Sequence, residues 1–117
     1  MVARRDGDLP IFVAWLDFLA WLLPTTAKLP RHVRHTFANR IDNLGLDVAE
    51  DLVEARYSRD KAPVLARANL RLEKMRILLR LCHGLGYFPH ARCEHAMRSI
   101  DGIGAMLGGW RKRHKAR

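Results

Sequence analysis

Few residues of this chain have the type and spacing that chemistry needs. His32 and His35 stand three apart, as do His90 and Cys93, with Cys82 and His83 close by in sequence. A zinc site asks for convergent thiolate and imidazole ligands at recurrent spacings such as CxxC or HExxH. Neither occurs, and there is no ExxH pair of the kind that builds di-iron sites in helical bundles. The histidines therefore read as surface or capping residues. Ser58 and Ser99, the only serines, lack a pattern of base and acid partners. Gly102, Gly104, Gly108 and Gly109 neither follow a strand nor spell a phosphate-binding loop. No catalytic residue, metal site or cofactor is expected, and the chain does not read as an enzyme. Cys82 and Cys93 fall on apolar helix faces, where they read as small buried hydrophobes in a reducing compartment.

Positive charge is what the sequence has in excess. The 117 residues carry a formal charge of +9. Residues 1–30 balance to zero and residues 31–57 come to −1, whereas 58–80 and 81–117 carry +5 each. A basic patch in the second half follows, and with it a nucleic-acid or acidic-protein partner. The start, MVARRDGDLP, interrupts its basic residues with two aspartates, and no small-residue cleavage site follows the next apolar run. No segment approaches the roughly 20 apolar residues of a membrane span. A cytoplasmic protein with no membrane partner is expected.

The elements that must position this charge are helices. A first helix is predicted from about Leu9 to Leu23, with Asp8 as N-cap and Pro24 as its stop. It is apolar on nearly every side, with Asp17 its one charge, which predicts burial all round. A membrane-surface helix would need a basic polar face that this segment lacks. Pro30 opens a second helix over about Arg31 to Arg56, with Val33, Phe37, Ile41, Leu44, Val48, Leu52 and Ala55 as its stripe. Asp47, Glu50, Asp51 and Glu54 make its second half acidic, either solvated or paired with arginines of a neighbouring helix. The third helix spans about Asp60 to His83. Its stripe is Leu65, Ala68, Leu72, Met75, Leu79 and Cys82, and a second apolar set (Leu70, Ile77, Leu78, Leu81, Leu85) lies roughly opposite. Gly84 is placed to take a left-handed cap. The fourth helix runs from Pro89 to about Trp110 on Cys93, Ala96, Met97, Ile100, Ile103, Gly104 and Leu107. Its glycines suggest another backbone approaching closely.

Short connections make consecutive helices antiparallel neighbours, so residues 1–117 read as one all-α domain, an up-down-up-down antiparallel four-helix bundle. The tail 111–117 is basic and expected to be flexible alone. The first and third helices each carry more apolar surface than one bundle buries. Both point to a homo-oligomer, with Trp15, Phe18, Trp21, Ile77 and Leu81 as interface residues.

Several ordered segments carry a family resemblance. They are LPIF at Leu9–Phe12, WLDFLAWLLP at Trp15–Pro24, KLPR at Lys28–Arg31, RI at Arg40–Ile41, EARYS at Glu54–Ser58, ANLRLEKMRILLRL at Ala68–Leu81 and IGAMLGGWRK at Ile103–Lys112. From Leu9 to Trp110 the chain resembles Avd, the accessory variability determinant of diversity-generating retroelements. IGxMLGGW is the most specific piece. The resemblance implies a homopentameric barrel of four-helix bundles with a basic surface. It also implies two partners: the element's reverse transcriptase, and its template-repeat RNA and complementary DNA. The chain would then support mutagenic DNA synthesis and retrohoming without doing the chemistry. Four-helix bundles encoded in ribosomal RNA intervening sequences share the architecture and give the alternative, an RNA- or ribosome-related role. An oligomeric scaffold for an acidic protein is a third.

Within this reading Arg76 and Arg80, one turn apart on the third helix, match basic positions of the family pattern and are the first expected contacts for polymerase or RNA. Arg67, Arg71 and Lys74 form a second row, equally suited to pairing with Asp47, Glu50 or Asp51 across an interface. Arg111, Lys112 and Arg113 form a third patch. Without an RNA-recognition module, binding is expected to be phosphate-driven, tolerant of sequence and weakened by salt.

Overall fold

The computed structural model describes residues 10–114, so Asp8 and the last three tail residues lie outside the described residues. Four α-helices follow in order: α1, Pro10–Thr26; α2, Asn39–Tyr57; α3, Ala62–Gly84; α4, His90–Arg113. Each packs on the next, and α1 closes the ring against α4. That is the four-helix bundle expected from the apolar periodicity, and the described residues form no strand.

Burial on α1 follows a single stripe rather than the whole circumference. Ile11, Trp15, Phe18, Leu19 and Leu22 are buried, while Asp17 and Ala20 face out and Phe12, Leu16 and Trp21 are half-buried. Trp15 is fully enclosed and donates its indole N–H to the Gly45 carbonyl of α2 at 2.9 Å. A buried indole N–H needs such an acceptor. Phe18 rests tilted against the Trp15 ring, 5.1 Å away. Both side chains belong to the subunit's own core, so Trp15 and Phe18 leave the group of expected subunit-interface residues. Gly45 is what lets α1 come this close. A Cβ there would stand 2.7 Å from a Leu19 methyl.

Pro24 does not end α1. The helix runs on to Thr26, where two hydroxyls serve the last turn. Thr25 donates to the Trp21 carbonyl at 2.6 Å. Thr26 donates to Asp42 at 2.6 Å, tying α1 to the start of α2. Burial pushes the Asp42 carboxyl up from its ordinary range, and the Thr26 hydrogen bond opposes the shift.

The predicted second helix is three pieces. A 3-10 turn over Arg31–Val33 and a π turn over Arg34–Ala38 precede α2. Val33, Phe37 and Ile41, all buried, recur in steps of four. Such a run drifts by about 40° per turn around an α-helix. The wider π turn takes up that drift. From Ile41 onward the buried positions Gly45, Val48, Leu52 and Ala55 alternate in steps of four and three, and the helix is regular.

Lys61 terminates α2 across the next turn. Its ammonium lies 2.8 Å from the Ala55 and Ser58 carbonyls and 3.2 Å from that of Arg56. These are carbonyls that a helix end leaves without partners. On α3 the full expected stripe is buried, joined by Val64. The opposite set stays open: Leu70, Leu81 and Leu85 are exposed, and Ile77 is 64% accessible. The left-handed residue after α3 is Gly86 (φ +85°), not Gly84, which is still helical. On α4 the expected inner face is buried at Cys93, Ala96, Ile100, Ile103 and Leu107, and Trp110 closes it. No second backbone approaches the glycines of α4 within the subunit. A Cβ at Gly102 or Gly108 meets open space, and one at Gly104 meets the Arg76 guanidinium at 3.0 Å.

Candidate nucleic-acid interface

The basic rows of α3 are largely spent on the subunit itself. Asp51 of α2 is only 3% accessible, and two arginines converge on it. Arg67 donates from Nε to Asp51 Oδ1 at 3.0 Å, and from Nη2 to Glu54 at 2.7 Å. Arg71 Nη1 stands 2.6 Å from each Asp51 oxygen, and its Nε is 4.0 Å from Asp47. The Asp51 hydrogen bond, then that of Glu54, pushes the Arg67 guanidinium further up. A buried carboxylate is tolerated only when paired and hydrogen-bonded, and this geometry meets that demand. Of the two sequence readings of Arg67 and Arg71, pairing is the one the contacts favour. It runs between α2 and α3 of a single chain.

Arg76 is committed too. It bonds Glu73, Asp101 Oδ1 at 3.1 Å and the Ile100 carbonyl at 3.4 Å, with 16% of its side chain accessible. It ties α3 to α4, so the residue expected to meet a partner first has much of its hydrogen-bonding capacity engaged within the subunit. Arg80 is exposed and has no acidic partner among the described residues. Cys82 and Cys93 are free and buried, and burial pushes both thiols up, which makes them poor nucleophiles. Arg80 lies near enough to Cys93 to oppose its shift. Lys74 is exposed beside a shallow groove between α2 and α3 lined by Arg40, Leu44, Ile77 and Leu78. Arg111 and Lys112 flank a second groove against the start of α3, with Asp60 in the same lining. Arg113 is exposed on the last turn of α4.

A different set of cations is free of carboxylates. Between Asp17 and Asp42 the chain has no acidic residue, and between Glu73 and Glu94 it has none either. Those two stretches make the two corners at one end of the bundle. His32 meets Tyr87 edge-on at 5.2 Å, and Phe37 lies 6.2 Å from the same ring, so the corners adjoin. Lys28, Arg31, Arg34 and Arg40 are exposed there without an ion pair among the described residues. His32 and His35 are exposed between them, with Asn39 3.2 Å from His35. His83 and His90 lie tilted to each other with ring centres 5.5 Å apart, and His90 is 3.1 Å from Glu94. No group of three or more potential ligands among the described residues is arranged to hold a metal ion.

The family model described as bAvd-like matches residues 14–114. The chain belongs to the bAvd-like family. That family is of an accessory, non-catalytic type. No curated protein matches the chain. The match spans the whole described bundle but for its first four residues, so it includes both corners as well as α3. In this bAvd-like bundle, residue counts per segment hid the corner. The span 31–57 sums to −1 because the acids of α2 share it with Arg31, Arg34 and Arg40. The sequence signal for this region is its acid-free run from Phe18 to Ile41, which segment sums conceal.

Proposed function

We propose that the chain is the accessory subunit of a diversity-generating retroelement. In this reading it binds the element's reverse transcriptase, its template-repeat RNA and the complementary DNA, and supports mutagenic synthesis and retrohoming in the cytoplasm. The family match carries the reading. Two properties of the bundle support it. Its framework is closed and internally satisfied, and it leaves surplus cations outside, as a positioning subunit for polyanions requires. Among the described residues no helix is long and apolar enough to cross a membrane.

The reading includes a homopentameric barrel. The outward face of α3 supports self-association, because Leu70, Ile77, Leu81 and Leu85 repeat along it without a cover in the subunit. Ile77 and Leu81 stay in the expected interface. Trp21 is half-buried, 4.4 Å from His95 and 5.8 Å from Phe18, in a groove between α1 and α4, and would belong to a separate contact from that of Ile77 and Leu81.

The test is co-purification with the reverse transcriptase of the same element, with and without template-repeat RNA, alongside light scattering for subunit number. A stable complex that primes complementary-DNA synthesis is the expected outcome. Absence of association at low salt would remove the accessory role and return the chain to the intervening-sequence-like alternative.

A further inference from the structure

The exposed cations of the first corner form one continuous surface. Over residues 27–40 every exposed side chain is small, polar or basic: Lys28, Arg31, His32, Arg34, His35 and Arg40, with Ala27, Thr36 and Asn39. No exposed large hydrophobic side chain falls in this stretch. The backbone geometry organises the cations. The Arg34 N–H bonds the Arg31 carbonyl, closing a 3-10 turn. In that geometry residues three apart eclipse, so Arg31 and Arg34 project in line. The π turn that follows returns Phe37 and Ala38 to the core and leaves His35 and Thr36 outside. A protein-binding patch is anchored by an apolar centre, which this surface lacks. Interfaces with nucleic acid are instead polar and strongly positive.

We infer that this corner, built on Lys28, Arg31 and Arg34, is the surface that grips the phosphate backbone of single-stranded RNA. The inference rests on the accessory reading above and assigns its nucleic-acid contact to a place other than the α3 row. Three features favour it over the other basic regions. Arg67, Arg71 and Arg76 have their charges matched by carboxylates in the same subunit. Arg111 and Lys112 share their groove with Asp60. At the corner the nearby carboxylates are already engaged, Asp42 half-buried and accepting from Thr26 and Glu94 facing His90, so the exposed cations outnumber the anions a phosphate would meet. The exposed His32 ring, held edge-on by Tyr87, adds an aromatic group beside the cations. Recognition of this kind is tolerant of base sequence, because backbone charge carries it.

Fluorescence anisotropy with a labelled short oligouridylate, over a salt series, tests the assignment on the full chain. Two variants remove equal charge from opposite ends of the bundle: Lys28→Gln with Arg31→Gln and Arg34→Gln, and Arg111→Gln with Lys112→Gln and Arg113→Gln. At about 0.1 M salt the corner variant is expected to lose at least about tenfold in affinity, and its log–log salt slope to shrink by about 2. The distal variant is expected to change by less than about threefold. Equal losses in both variants would mean that net charge alone governs binding, which overturns the assignment. Undiminished affinity of the corner variant overturns it as well. So does retained RNA affinity with lost co-purification of the reverse transcriptase, which would make the corner a protein contact. If the unaltered chain binds no RNA at low salt, the nucleic-acid part of the functional reading fails along with it. All three corner residues are exposed, and circular dichroism checks the fold. The double variant Lys28→Gln with Arg34→Gln, leaving the 3-10 turn's first residue intact, gives an independent intermediate point.

Discussion

Along the seam between α2 and α3, Arg67 and Arg71 reach across to Asp47, Asp51 and Glu54, and the charges cancel where they stand. At the corner before α2, Lys28, Arg31, Arg34 and Arg40 are as numerous as the arginines of α3 but have no carboxylate within the same stretch of chain. The two regions carry comparable numbers of cations, yet the seam arginines have the poorer field to offer a ligand. Burial explains the difference. A half-enclosed guanidinium or an enclosed carboxylate must find its counter-charge inside the subunit, whereas an exposed cation is stabilised by water and stays available. Net charge per segment is therefore a poor guide to where a polyanion docks.

The largest expected effect breaks the seam. Replacing Arg67 and Arg71 together by methionine leaves Asp51 enclosed without partners and should cost about 3–5 kcal/mol of stability in urea unfolding. A change below about 1 kcal/mol would show that the seam arginines are not structural and return them to the binding candidates. The next contrast lies within one helix. Arg76→Ala removes the tie to Asp101 and the Ile100 carbonyl and should cost about 1–2 kcal/mol. Arg80→Ala, on the same flank but unpaired, should stay within about 0.5 kcal/mol. Similar losses from the two variants would erase the distinction between spent and available arginines. The smallest effect concerns α4. Gly102→Ala and Gly108→Ala place a methyl in open space on a helix and should each raise stability by about 0.5–1 kcal/mol. A loss of stability, or of oligomer mass, would show that a second copy packs its backbone against these glycines.

Much of the bundle was legible from spacing. The stripes of α3 and α4 emerge as predicted, because alternating steps of three and four fix which side of a helix is apolar whatever it packs against. The departures are local and share a cause. Pro24 reads as a stop, but the Thr25 hydroxyl supplements the last-turn bonding and Thr26 finds Asp42, sixteen residues on. Gly45 of α2 is the place where Trp15 and Leu19 press in, a role that exists only once α1 packs on α2. A break of regularity before α2 was invisible because the drift of Val33, Phe37 and Ile41 appears only once all three must face one core.

The candidate site divides in the same way. Sequence determined that the chain is helical and basic and has the pattern of its family, since these depend on residue types and their order. Tertiary structure decided which cations are free. Arg67 and Asp51 are sixteen residues apart, and Arg76 and Asp101 twenty-five, so their pairing exists only once the helices pack. The availability of a charge depends on distances in space to every opposite charge, and those distances are set by the packing of side chains that carry no charge at all.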